Sequence, residues 1–69
     1  MKHKELQYIH ESLINGQRRQ MVQEIDRYGP SQFFADYIVH LNAKYVTAEA
    51  RWNYYTDVVV SYFRIKGRE

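Results

Sequence analysis

Three glycines and one proline are all that interrupts this chain of 69 residues. They fall at Gly16, at the pair Gly29-Pro30, and at Gly67 near the end. Glycine tolerates the left-handed backbone that ends a helix, and proline cannot continue one, so these positions are punctuation marks for helical segments. Between them the apolar residues recur at helical spacing. Leu6, Ile9 and Leu13 fall at i, i+3 and i+7, with Ile14 beside them, and predict a first helix over Lys4 to Ile14. Asn15-Gly16 ends it. Met21, Val22, Ile25 and Tyr28 predict a second helix over Gln17 to Tyr28. Pro30 suits the first turn of a third helix, roughly Ser31 to Tyr45, whose stripe is Phe34, Tyr37, Ile38, Leu41 and Tyr45, with Phe33 at its edge.

The last third, Thr47 to Ile65, is the stretch the others must pack against. It holds the single tryptophan, Trp52, together with Tyr54, Tyr55, Tyr62 and Phe63, and the aliphatic run Val58-Val59-Val60. Thr47 is placed as an N-cap, Glu49 lies in the first turn, and Gly67 closes the helix behind Arg64 and Lys66. The run Asp57 to Ile65 is rich in β-branched and aromatic residues and also suits a strand. No second stretch alternates, so that strand would need a second copy of the chain, and the helix is the preferred reading. The expected fold is all-α: a single helical domain over residues 1–69, a small bundle of three or four short helices.

A domain this small buries only about 60% of the surface its unfolded chain exposes. With no cysteine, disulfides, thiolate metal sites and cysteine nucleophiles are excluded, and a reducing, cytoplasmic setting fits. The remaining staples are idealised helix packing or oligomerisation, and aromatics at 16% of so small a chain favour oligomerisation. Adjacent rings such as Phe33-Phe34, Tyr54-Tyr55 and Tyr62-Phe63 cannot all face one core, and rings with a polar tip are what interfaces use. The chain is therefore expected to be a homodimer or part of a larger assembly, and to bind a protein partner. The fourth helix is expected to have two faces: a core face led by Trp52, Tyr55 and Val59, and a bare face with Tyr54, Val58 and Ile65. The partner-binding residues read from the sequence are Arg18, Arg19, Tyr54, Val58, Tyr62 and Ile65.

A nucleic-acid-binding regulator is the alternative. Net charge is only +2, from ten Lys/Arg against eight Asp/Glu. The run IDRYGPSQFFADYI nevertheless has helix-turn-helix spacing, with Ile25, Gly29, Ala35 and Ile38 at the packing and turn positions. Arg18 and Arg19 stand at a helix start, where cations oppose the helix dipole, which points to a partner or a tertiary salt bridge. Phosphate contacts would come from Arg18, Arg19, Arg64, Lys66 and Arg68, with Lys2 and Lys4 adding to the patch where the chain ends meet the first turn, and in the would-be recognition helix only Gln32 suits base-edge reading. No catalytic residue, metal site, cofactor or small-molecule substrate is expected. Ser12, Ser31 and Ser61 lie in no nucleophile motif, no glycine-rich phosphate loop is present, and His3, His10 and His40 lack the i, i+4 spacing of a helical zinc pair. The start MKHKELQYIHE lacks the apolar core of a signal peptide, and no apolar run is long enough to span a membrane.

The segment Ser12-Leu13-Ile14-Asn15-Gly16-Gln17-Arg18-Arg19-Gln20, within residues 6–28, resembles a segment of small uncharacterised accessory proteins of bacterial plasmids and phages. That resemblance brings no defined activity. It implies a bacterial cytoplasmic setting, a mobile genetic element, and a regulatory or interaction role.

Overall fold

The computed structural model describes residues 3–68, which fold into four helices in the order α1 (His3–Ile14), α2 (Arg18–Tyr28), α3 (Pro30–Lys44) and α4 (Ala48–Gly67). Among the described residues there is no strand, so Asp57 to Ile65 is helical. The joints follow the local chemistry. Gly16 takes φ +76° in the α1–α2 turn, where a side chain would be strained. Gly29, at φ +106°, is the single residue between α2 and α3; its N–H donates to the Ile25 carbonyl, and its own carbonyl accepts from Phe33 N–H at 2.7 Å. Pro30 occupies the first turn of α3. The Thr47 hydroxyl accepts from Ala50 N–H at 3.3 Å and caps α4.

α2 and α3 lie at the middle of the bundle, each packing against the other, against α1, and against α4. The core is built from Leu6, Ile9 and Leu13 of α1, Met21, Val22 and Ile25 of α2, Phe33, Tyr37 and Leu41 of α3, and Val58 and Tyr62 of α4. The α1 and α2 stripes are the predicted ones, although Ile14 and Tyr28 lie outside the fully buried set.

α3 is turned from its predicted phase. Phe33, placed at the edge by its spacing, is fully buried, whereas Ile38 is exposed. The inner face is Phe33, Tyr37, His40 and Leu41. Two contacts hold that rotation. The Phe33 and Tyr37 rings stack at 5.0 Å, and the Tyr37 hydroxyl is hydrogen-bonded to His10 Nδ1 of α1 at 2.7 Å. A hydrogen bond to a histidine in another helix leaves no mark in the apolar periodicity of α3.

α4 is the larger correction. Trp52, expected to lead the core face, is 68% exposed, while Val58 and Tyr62, both expected to bind a partner, are 0% and 5% exposed. Apolar residues surround this helix almost completely between Val58 and Phe63, so the pattern predicts two apolar faces without saying which one turns inward. Polar anchors decide it. Tyr62 Oη donates to Asp26 Oδ1 of α2 at 2.6 Å, and Asp57 and Ser61 hold Arg18. These bonds point the Asp57, Ser61 and Tyr62 side of α4 toward α2 and roll Trp52 outward.

Candidate functional site: an arginine groove and an outer aromatic stripe

Two surfaces of α4 stand apart from the core. The first is a groove of about 830 Å³ between α2 and α4. Arg18, Arg19, Arg64 and Arg68 line it, together with the carboxylates Asp26 and Asp57. Both acids already hold cations. Arg18 Nη2 lies 3.2 Å from Asp57 Oδ2, and Arg18 Nε donates to Ser61 Oγ at 3.1 Å. Lys66 Nζ lies 3.0 Å from Asp26 Oδ2. The hydrogen bond from Tyr62, then that from Lys66, holds the Asp26 carboxyl below the usual range and keeps it ionised. Among the described residues, Arg19, Arg64 and Arg68 make no ion pair and no side-chain hydrogen bond.

Four of the six residues named for nucleic acid therefore meet in one place: Arg18, Arg19, Arg64 and Arg68. Lys66 is beside them on Asp26. Gln32 is not in the groove; it lies on α3 and donates to Asp36 Oδ1 at 2.9 Å. Lys4, on α1, is absent from the groove lining, and Lys2 lies outside the described residues. The helix-turn-helix register is not realised either. Its two interior positions on α3, Ala35 and Ile38, are both exposed, and the corner is Gly29 alone. Of the residues named for a partner, Arg18 and Ile65 line the groove and Arg19 faces it. Tyr54 is half-buried against Tyr45, and Val58 and Tyr62 are core.

The second surface lies on the side of α4 expected to face the core. Trp52, Tyr55, Val59 and Phe63 fall at i, i+3, i+7 and i+11 and so share one side of α4. Trp52 and Phe63 at its two ends are 68% and 60% exposed, and Tyr55 and Val59 between them are half-buried. Ile38 of α3 borders Trp52 and Tyr55 around an apolar pocket of about 300 Å³ that also takes in Leu41 and Ala48. Farther along, Phe34 of α3 stacks on Phe63 with centroids 6.1 Å apart. The stripe runs eleven residues, about 16 Å along the helix. Adjacent-ring logic in the sequence finds the excess of aromatics; it misses which members are bare.

A polar network inside the bundle was also missed. His10 is fully buried, with Nδ1 2.7 Å from Tyr37 Oη and Nε2 2.8 Å from Tyr45 Oη, and the Tyr45 ring in turn stacks on Tyr54 with centroids 4.7 Å apart. The neutral ring donates through one nitrogen and accepts through the other, so both are satisfied. Burial, then the charge of Lys44 and His40, lowers its pKa to about 4. His40 is also buried; its Nε2 has no hydrogen-bond partner among the described residues, and burial and the nearby His3 lower its pKa. A spacing rule for zinc ligands looks only within one helix and does not see histidines that converge from two. Among the described residues, no group of three or more His, Asp or Glu is arranged to hold a metal ion. No described helix is long and apolar enough to cross a membrane.

Fold and surfaces together define a four-helix module with one charged groove and one aromatic stripe. Comparison of the chain with protein-family models, curated proteins and solved structures finds no match in any of the three.

Proposed function

We propose that the protein is a non-enzymatic interaction module that self-associates through the outer stripe of α4. The observation that carries this reading is the exposure of Trp52 and Phe63 at the two ends of one continuous apolar line. Large exposed apolar patches on small soluble domains mark interaction surfaces, and Trp is among the residues that dominate binding energy there.

A second copy of the chain is the occupant favoured by charge. α4 carries Glu49 in its first turn and Arg64 and Lys66 in its last. Glu49 lies one turn before Trp52, and Arg64 follows Phe63 directly. Two such helices packed antiparallel about a twofold axis set Glu49 of each toward the basic end of the other, with opposed helix dipoles. That arrangement is the self-complementary pattern of an isologous dimer. Trp52 of each copy then lies toward the Phe63 end of its neighbour, and the pocket beside Ile38 is within reach of an inserted ring.

Sedimentation equilibrium at micromolar concentration is the test. The native chain is expected to be a dimer. Trp52→Ala is expected to be monomeric, yet to unfold within about 0.5 kcal/mol of the native chain when both are diluted to the monomer, because the ring is solvent-facing in the single chain. A native chain that sediments as a monomer overturns the reading.

A further inference from the structure

The groove between α2 and α4 holds charge that the fold does not use. Its two carboxylates are taken up internally, Asp57 by Arg18 and Asp26 by Lys66. Arg19, Arg64 and Arg68 converge on the same groove without an intramolecular partner among the described residues. Between them lies an apolar footing of Val60 and Ile65, Val60 being exposed and Ile65 half-buried. Along α4 and its C-cap the lining runs from Asp57 to Arg68, twelve residues, or about 16 Å. The groove is thus as long as a helix of three turns and follows the direction of its two walls.

We propose that this groove binds an acidic amphipathic helix of a partner protein. The partner's apolar side chains would rest on Val60 and Ile65, and its carboxylates would pair with Arg19, Arg64 and Arg68. Arginine suits this role because its planar fork meets a carboxylate with two parallel hydrogen bonds and sheds water more readily than an ammonium group. Helix-in-groove docking reads such an apolar line flanked by charge.

Two features favour this occupant over a nucleic acid. No aromatic ring lines it, so no base can stack there. The apolar footing offers a phosphodiester chain nothing. The apolar side chains of the dimer stripe, Trp52, Tyr55, Val59 and Phe63, are not part of the groove, and Arg64 is the one groove arginine that the dimer's charge pattern also uses.

The test uses the full chain and four dye-labelled probes followed by fluorescence anisotropy. The first is a synthetic peptide of about four helical turns, with a leucine stripe flanked by glutamates. The second is the same peptide with glutamine for each glutamate. The third and fourth are a duplex and a single-stranded DNA oligonucleotide. The glutamate peptide is expected to bind at least about tenfold more tightly than the other three, in line with the strength of charge-assisted hydrogen bonds. The double variant Arg19→Gln/Arg68→Gln is expected to lose about tenfold of that affinity. Both side chains are exposed and make no ion pair among the described residues, so this variant keeps its fold, which circular dichroism checks. Trp52→Ala is expected to bind the peptide like the native chain, so loss of the dimer and loss of peptide binding are separable results. The proposal is overturned if the glutamine peptide binds as well as the glutamate one, if the arginine variant binds undiminished, if no peptide binds, or if an oligonucleotide binds more tightly than the glutamate peptide. The last result would make the groove a nucleic-acid site.

Discussion

Phe33→Ala is expected to cost about 3–5 kcal/mol of unfolding free energy, the range for removing a fully buried phenylalanine. A domain of this length has on the order of 3–10 kcal/mol in total, at the usual stability per residue. The variant is therefore expected to be largely or wholly unfolded at physiological temperature. Phe33 is a sensible place for so large an effect. Its ring stacks on Tyr37, meets Tyr28 and Phe34 edge-on, and sits directly after the α2–α3 joint. Urea unfolding followed by circular dichroism gives the number. Ile38→Ala, one turn along α3 and exposed, is the matched control and is expected to cost under about 1 kcal/mol. Equal losses at the two positions would mean that α3 is not turned as described.

The second large effect is acid destabilisation through His10. In the unfolded chain an imidazole titrates near 6.5, whereas buried His10 titrates near 4. Between those values the unfolded chain binds a proton that the folded chain refuses, so stability rises with pH across this window. Below it the difference is spent. The full contribution of His10 amounts to about 3 kcal/mol, one pKa unit being worth about 1.4 kcal/mol. His40, buried beside it with His3 and Lys44 nearby, acts in the same direction. Asp26 contributes separately and lower down, because a carboxyl with a depressed folded pKa loses its stabilisation only as pH falls through the acid range, below about 4. Unfolding midpoints measured at several pH values between about 7 and 4 are expected to fall steadily. In His10→Phe most of that slope is expected to vanish, even though the variant is less stable at neutral pH, where the Tyr37 and Tyr45 hydroxyls lose their partner. An unchanged slope in His10→Phe would remove His10 as the source.

How much of this was legible in the sequence depends on the kind of force involved. Helix boundaries were legible because they rest on backbone chemistry that single residues announce: Gly16 and Gly29 at positive φ, Pro30 in a first turn, Thr47 as a cap. The inner faces of α1 and α2 were legible because each has one apolar side. α3 and α4 were harder because apolar residues cover more of their circumference, and then long-range polar contacts choose the rotation. Tyr37 with His10, Tyr62 with Asp26, and Arg18 with Asp57 join residues 27, 36 and 39 positions apart. No periodicity within one helix reports them. The arginines at 18, 19, 64 and 68 were named individually, and their meeting in one groove needed the α2–α4 packing.

The position of Trp52 has a practical consequence for how this protein can be watched. The chain has a single indole, and in the lone chain that indole already sits mostly in water. Its emission should change little when the monomer unfolds. It should shift toward the blue, and become harder to quench with a dissolved ion, when a second copy covers α4. Tyrosine emission is the opposite kind of signal, because Tyr37, Tyr45, Tyr54 and Tyr62 are packed in or against the interior. Two dyes that nature has already built in thus report on two separate equilibria, and a single titration read at two excitation wavelengths can tell assembly from folding.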